Sequence, residues 1–150
     1  MQDSPQAIFD RAAERAKALA LDYAGAVTPQ EAWALRQAGA ADIVDVRTQA
    51  EYEYVGRIPS TTLVEWRKIG DTARNPAFID ELAALFARER ALLFLCRSAV
   101  RSHHAATLAT QSGFQRAYNI LEGFEGDLDP EGHRGTLGGW RRAGLPWRQS

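Results

Sequence analysis

A chain of 150 residues, 45% hydrophobic and 25% charged, is long enough to bury one sizeable core and reads as a single compact domain. Its formal net charge of −1 excludes a global basic field that would gather nucleic acid or anionic lipid, so any anion site has to be local. The one cysteine excludes an internal disulfide, and no stretch approaches the roughly 18 uninterrupted apolar residues of a membrane span.

Residues 5–20, PQAIFDRAAERAKALA, space their apolar side chains at a near-helical interval and predict an N-terminal helix. YAGAV then offers a short strand. TPQEAWALRQAG carries helix punctuation: Thr28 as N-cap, Pro29 at the first helical position, Glu31 as capping-box partner and Gly39 as the stop. ADIVDV is a buried strand by its β-branched content. TQAEYEYV repeats the capping box through Thr48 and Glu51 and predicts a short helix closed by Gly56. TTLVEW is the third strand. PAFIDELAALFAR is an amphipathic helix with Phe78, Leu82, Leu85 and Phe86 on one face.

ALLFL, residues 91–95, is a continuous apolar run that suits a central strand covered on both faces. After CRSAVR comes an alanine-rich helix ending at Gly113, then RAYNIL as a fifth strand. The tail GTLGGWRRAGLPW predicts a short helix and a terminal turn. Five strands alternating with helices predict an α/β fold with a mostly parallel five-stranded sheet and helices on both faces. Ligands of such sheets sit beyond the carboxyl ends of the strands. Cys96 is at that address.

From Cys96 to the next helix only a few residues turn the chain. Successive backbone N–H groups in so tight an arc form an anion-binding nest, helped by the positive end of the following helix. A thiolate is favoured at a helix N-terminus beside arginines, and Arg97 and Arg101 flank the loop. The loop would then present a nucleophile with donors aimed at an anion attached to it. The competing reading makes Cys96 a small buried hydrophobe. It accounts for the cysteine but not for a cysteine, a turn of small and polar residues, an arginine and a helix start together.

These residues resemble the rhodanese-like sulfurtransferases, whose active-site loop is Cys-x-x-x-x-Arg between a central strand and a helix. Cys96 to Arg101 match it, with the frequent following serine at Ser102. DIVDVRTQAEYEYVGRIPSTTLVEW is similar to the family's Asp-Val-Arg segment, Glu-Tyr helix and Gly-x-Ile-Pro turn. YNILEGFEG is similar to its last strand and Gly-Phe-x-Gly turn, and GGWRRAGLPW to its closing helix. The resemblance implies a helical extension at 1–21 and a rhodanese-like domain at 22–150. Two positions depart from the pattern: Ala99 replaces a frequent loop glycine, and Ser60-Thr61 replace a common Gly-Ala.

The resemblance implies sulfur transfer by double displacement, with Cys96 catalytic and Arg97, Ser98, Ala99, Val100 and Arg101 holding the charged sulfur. The donor would be thiosulfate or a persulfide, and the acceptor cyanide, a thiol or a protein. No metal or organic cofactor is implied. Asp45 and Arg47 match the Asp-Val-Arg motif and are expected to brace the loop from behind. Trp66 ends the third strand on the same side of the sheet as Cys96, where it either rims a pocket or packs. His103 and His104 invite a catalytic-base reading that thiolate attack does not need, and DPEGHRG is weak as a metal site.

Two other functions fit parts of the pattern. A phosphatase or arsenate reductase also cradles an anion between cysteine and arginine, but with five intervening residues where this chain has four. A non-catalytic binding or sulfur-relay module is the other alternative; a binding module would keep the fold for protein contacts, and the retention of Cys96 and Arg101 argues against it. A cytoplasmic location, without membrane or nucleic-acid partners, is the expectation from the lone cysteine and the charge.

Overall fold

The computed structural model describes residues 3–149. Helix α1 (Pro5–Leu19) begins where Ser4 Oγ accepts the Ala7 amide and Pro5 takes the first helical position. Strand β1 (Gly25–Val27) runs against it so closely that a Cβ on Gly25 would overlap the Ala12 carbonyl. Helix α2 (Pro29–Gln37) starts on the reciprocal capping box of Thr28 and Glu31. Glu31 also receives Arg11 and Arg15, which ties α1 to α2.

Strand β2 (Asp42–Asp45) and the short edge strand β3 (Thr62–Leu63) precede helix α3 (Phe78–Leu85). Strand β4 (Leu92–Leu95), helix α4 (Val100–Gln111) and strand β5 (Ala117–Ile120) follow. The five strands lie in the order β1-β5-β4-β2-β3 and every pairing is parallel. β4 is central and buried throughout, as its unbroken apolar run requires.

Alternation along β4 assigns the two faces. Leu93 and Leu95 pack with Ile8, Phe9 and Ala12 of α1 and with Ala32 and Leu35 of α2. Leu92, Phe94 and Cys96 pack with Phe78 and Leu82 of α3 and with Ala105, Ala106 and Ala109 of α4. Helices therefore cover both faces, and the strand's next residue after Leu95 enters the second layer as a cysteine.

Four local expectations change. Glu51–Val55 form a single π-helical turn, in which the Gly56 amide reaches back five residues to the Glu51 carbonyl. The third strand is only two residues long, although Val64 and Trp66 continue to donate to Asp45 and Val46 of the neighbouring chain. Leu85 is 55% exposed because α3 ends there and Phe86 is already extended. The tail forms turns rather than a helix. Trp140 donates its backbone N–H to the Gly123 carbonyl and its indole N–H to Pro146, so its donors serve tertiary contacts instead of an intrahelical ladder.

Candidate active site

Cys96 is the first residue beyond β4, and α4 starts four residues later, so the connection is as tight as the spacing implies. Ala99 makes the turn in the left-handed conformation, φ 75° and ψ 7°. It is the N-cap of α4 and has no side chain to offer the first-turn amides. The backbone bonds that fix this loop do not use the N–H groups of Arg97, Ser98 or Ala99. They use its carbonyls: Cys96 accepts from Phe124 at 2.8 Å, and Arg97 accepts from Glu125 at 3.0 Å.

The turn at 122–126 is thus laid directly on the loop. Gly123 has φ 69°, and a Cβ there would overlap the Arg97 carbonyl. Behind it, the Gly139 amide donates to the Glu122 carboxylate, and the Gly139 carbonyl accepts from the Ala143 amide. Loop, turn and tail form three stacked layers.

A cleft of about 640 Å³ opens over the loop, lined by Cys96, Arg97, Ser98, Val100 and Arg101. Its other wall comes from Glu51 of the π-helical turn and from Trp66, Arg67, Lys68 and Asp71 after β3. Trp66 therefore rims the cleft, with its ring edge-on to Phe78 at 5.1 Å. Among the expected loop residues Ala99 is not part of the lining; its carbonyl accepts from Asn119 Nδ2 at 3.2 Å. Cys96 is 1% exposed and lies at the cleft floor, in contact with core side chains.

Arg101 does not lean freely over the loop. Its guanidinium makes a two-pronged ion pair with Glu51, at 2.7 and 2.9 Å, and its side chain is 17% exposed. Burial pushes the Glu51 carboxyl up, but hydrogen bonds from Arg101 and from the Thr48 amide overcome this and hold it at about 2. Glu51 is the residue that sequence reasoning missed. Its capping role at Thr48 was visible and is present, but Oε1 accepts from both Thr48 and the loop arginine, and Oε2 accepts from the arginine as well.

Asp45 and Arg47 are wholly buried and joined by a bidentate pair, with Arg47 also donating to the Gly56 carbonyl. The Arg47 guanidinium lies 4.4 Å from the centroid of the Phe124 ring. The Phe124 amide is the donor to Cys96, so the pair reaches the loop through one residue. Arg47 Nη1 is the buried side-chain nitrogen left without a hydrogen-bond partner among the described residues.

The two histidine rings meet edge-to-face at 5.3 Å but have different surroundings: His104 lines the cleft, whereas His103 Nδ1 is 2.8 Å from the Tyr23 hydroxyl. Behind the sulfur, Ser102 Oγ is 3.2 Å from Cys96 Sγ and 2.5 Å from Asn119 Oδ1, all three residues being buried. In the DPEGHRG loop, Asp129 accepts from the Glu131 and His133 amides and from Thr136. No group of three metal-ligating side chains exists among the described residues. No helix among them is long and apolar enough to cross a membrane.

The family described as "Rhodanese-like domain" matches residues 28–128. A crystal structure of Rv0390 from M. tuberculosis superposes with a TM-score of 0.76 at 46% identity, covering 85% of this chain and 99% of that one. The uncharacterized protein RC0915 of Rickettsia conorii is 34% identical over 116 residues, 72% of this chain and 83% of its own. Thiosulfate sulfurtransferase GlpE of Actinobacillus pleuropneumoniae is 26% identical over 120 residues, 80% of this chain and 89% of its own.

Proposed function

Because this chain belongs to the rhodanese-like domain family, we propose that it is a sulfurtransferase that carries sulfur on Cys96. The single observation that supports this most is the place of the sulfur. It lies on the floor of a cleft, at the end of the central strand, beside a turn with unused amides and the uncapped N-terminus of α4. Those are the donors a charged sulfur needs, and a packing cysteine does not call for them.

The reaction is a double displacement. Cys96 Sγ attacks the outer sulfur of thiosulfate; the donor's S–S bond breaks and sulfite leaves with its electron pair. The outer sulfur stays on Cys96 as a persulfide. The amides of Arg97, Ser98, Ala99 and Val100 stabilise that charge, and Arg101, held in place by Glu51, supplies the positive field. An attacking thiol or cyanide then takes the outer sulfur, and Cys96 departs as thiolate. Arg67 and Lys68 on the opposite wall favour anionic donors. Asp45 and Arg47 act as the brace that keeps Phe124, and so the loop carbonyl, in place.

Intact mass spectrometry after incubation with thiosulfate tests this directly. The expected result is a gain of one sulfur atom, removed by cyanide or dithiothreitol and absent in Cys96→Ala. An unchanged mass on reduced protein, with Cys96 open to alkylation, refutes the proposal.

A further inference from the structure

We infer that Asn119 is a positioning residue for the nucleophile: it fixes the direction of the Ser102 hydroxyl and thereby holds back ionisation of Cys96. The inference rests on the sulfurtransferase reading for its purpose, but not for its test. Asn119 lies on β5, outside the loop, and bonds the backbone of the loop at one end and Ser102 at the other.

Proton counting gives the direction. The Ala99 carbonyl is only an acceptor, so the Asn119 atom facing it at 3.2 Å is the amide nitrogen. The amide oxygen then faces Ser102 Oγ, and two oxygens 2.5 Å apart need a proton between them. The amide has none on its oxygen. Ser102 therefore spends its one proton on Asn119 and turns a lone pair toward Cys96 Sγ, 3.2 Å away. A thiol donates into that lone pair. A thiolate meets it as repulsion, unless the hydroxyl rotates and leaves a buried amide oxygen without a donor. The arrangement disfavours an idle thiolate.

The measurement is the pH profile of Cys96 alkylation by iodoacetamide, which reads the sulfur whether or not the protein transfers sulfur. Asn119→Ala frees Ser102 to donate to the thiolate. It should raise the alkylation rate at pH values below the wild-type midpoint by roughly threefold to tenfold, the worth of one hydrogen bond. Asn119→Asp keeps the acceptor and adds negative charge, so its profile should move to higher pH. In a Ser102→Ala background, Asn119→Ala should change nothing further.

Other titratable and charged groups surround the sulfur: Arg97 and Arg101 from its own loop and helix, Glu51 from the π-helical turn, Arg67, Lys68 and Asp71 after β3, His104 on α4, and Tyr23 in the buried layer that holds Cys96, with the Asp45–Arg47 pair behind the loop. They are common to all variants and cancel in the comparison. A profile for Asn119→Ala that superimposes on wild type, or shifts of the same sign for Ala and Asp, overturns the inference. Should Asn119→Ala not fold, Ser102→Ala decides: loss of a lone pair facing the sulfur moves the profile to lower pH, whereas a move to higher pH would show that Ser102 donates to the sulfur and overturn the inference. Absence of sulfur transfer with these shifts intact would refute the sulfurtransferase reading and leave the positioning role standing.

Discussion

Ala99 and Ser60 both hold a left-handed backbone, at φ 75° and 63°, and they fall at the two places where the chain departs from the family's frequent glycine. The conformation explains the preference for glycine, since a Cβ there costs about 1–2 kcal/mol. A glycine also gains freedom in the unfolded chain, which returns roughly 0.5–1 kcal/mol of that. Ala99→Gly should therefore raise stability by up to about 1 kcal/mol in urea denaturation, with sulfur transfer retained. Ser60→Gly, far from the sulfur, should add independently to it. A loss of stability in Ala99→Gly would mean that the Cβ makes packing contacts that outweigh the strain. Cys96 itself is a poorer subject for such an experiment. Its burial means that Cys96→Ser places a hydroxyl in the core layer, so stability no longer separates a nucleophile from a packing thiol, and only its chemistry does.

At the scale of elements, the proposed function makes the loop between β4 and α4 the determinant of which anion fits. Four residues stand between Cys96 and Arg101, and amide donors stabilise charge only within about 2.7–3.1 Å of where it develops. The protein should show no measurable hydrolysis of aryl phosphates, assayed beside thiosulfate transfer. One glycine inserted after Ala99 should widen the arc, carry Arg101 out of line with Glu51 and cut sulfur transfer roughly tenfold or more. Aryl phosphatase activity comparable to sulfur transfer in the unaltered protein would defeat the argument from loop length.

The elements themselves were largely legible because their signals are local. Capping boxes at Thr28 and Thr48, the apolar run of β4 and the alanine face of α4 each fix one segment from within. The candidate loop was legible for the same reason: Cys96 and Arg101 are close in sequence. What escaped came from afar. Glu51 reaches Arg101 beyond the carboxyl ends of the adjacent strands β2 and β4, the wall at 66–71 has no motif, and the tail is shaped by the turn it covers rather than by its own propensity.

Taken as a whole, the molecule carries two carboxylates held at about 2: Glu31 between α1 and α2, and Glu51 at the cleft. For both, burial alone would raise the pKa, and hydrogen bonds from arginines and from capping threonine amides reverse it. A carboxylate depressed in the folded state stabilises fully above its unfolded value, here 4.5, and its contribution is lost as pH falls through about 2. Thermal melts should therefore show stability declining from about pH 4.5 downward. Glu31→Gln and Glu51→Gln should each lower stability at neutral pH and flatten that decline. A decline of unchanged steepness in both variants would assign the acid sensitivity to other groups.

The strand order has a consequence for how the chain is made. During synthesis β1 appears early, yet its strand partner is β5, Gly25 facing Tyr118, so α1 and β1 have no sheet to join while the ribosome is still extending the middle of the chain. β2 has only the two-residue edge strand β3 to pair with until β4 emerges. Only when β4 and β5 have emerged can the sheet close from its centre outward, and the turn at 122–126 that secures the cysteine loop comes later still. The nascent protein thus exposes its apolar strands for most of its synthesis, and Cys96 emerges before the turn that closes over its loop.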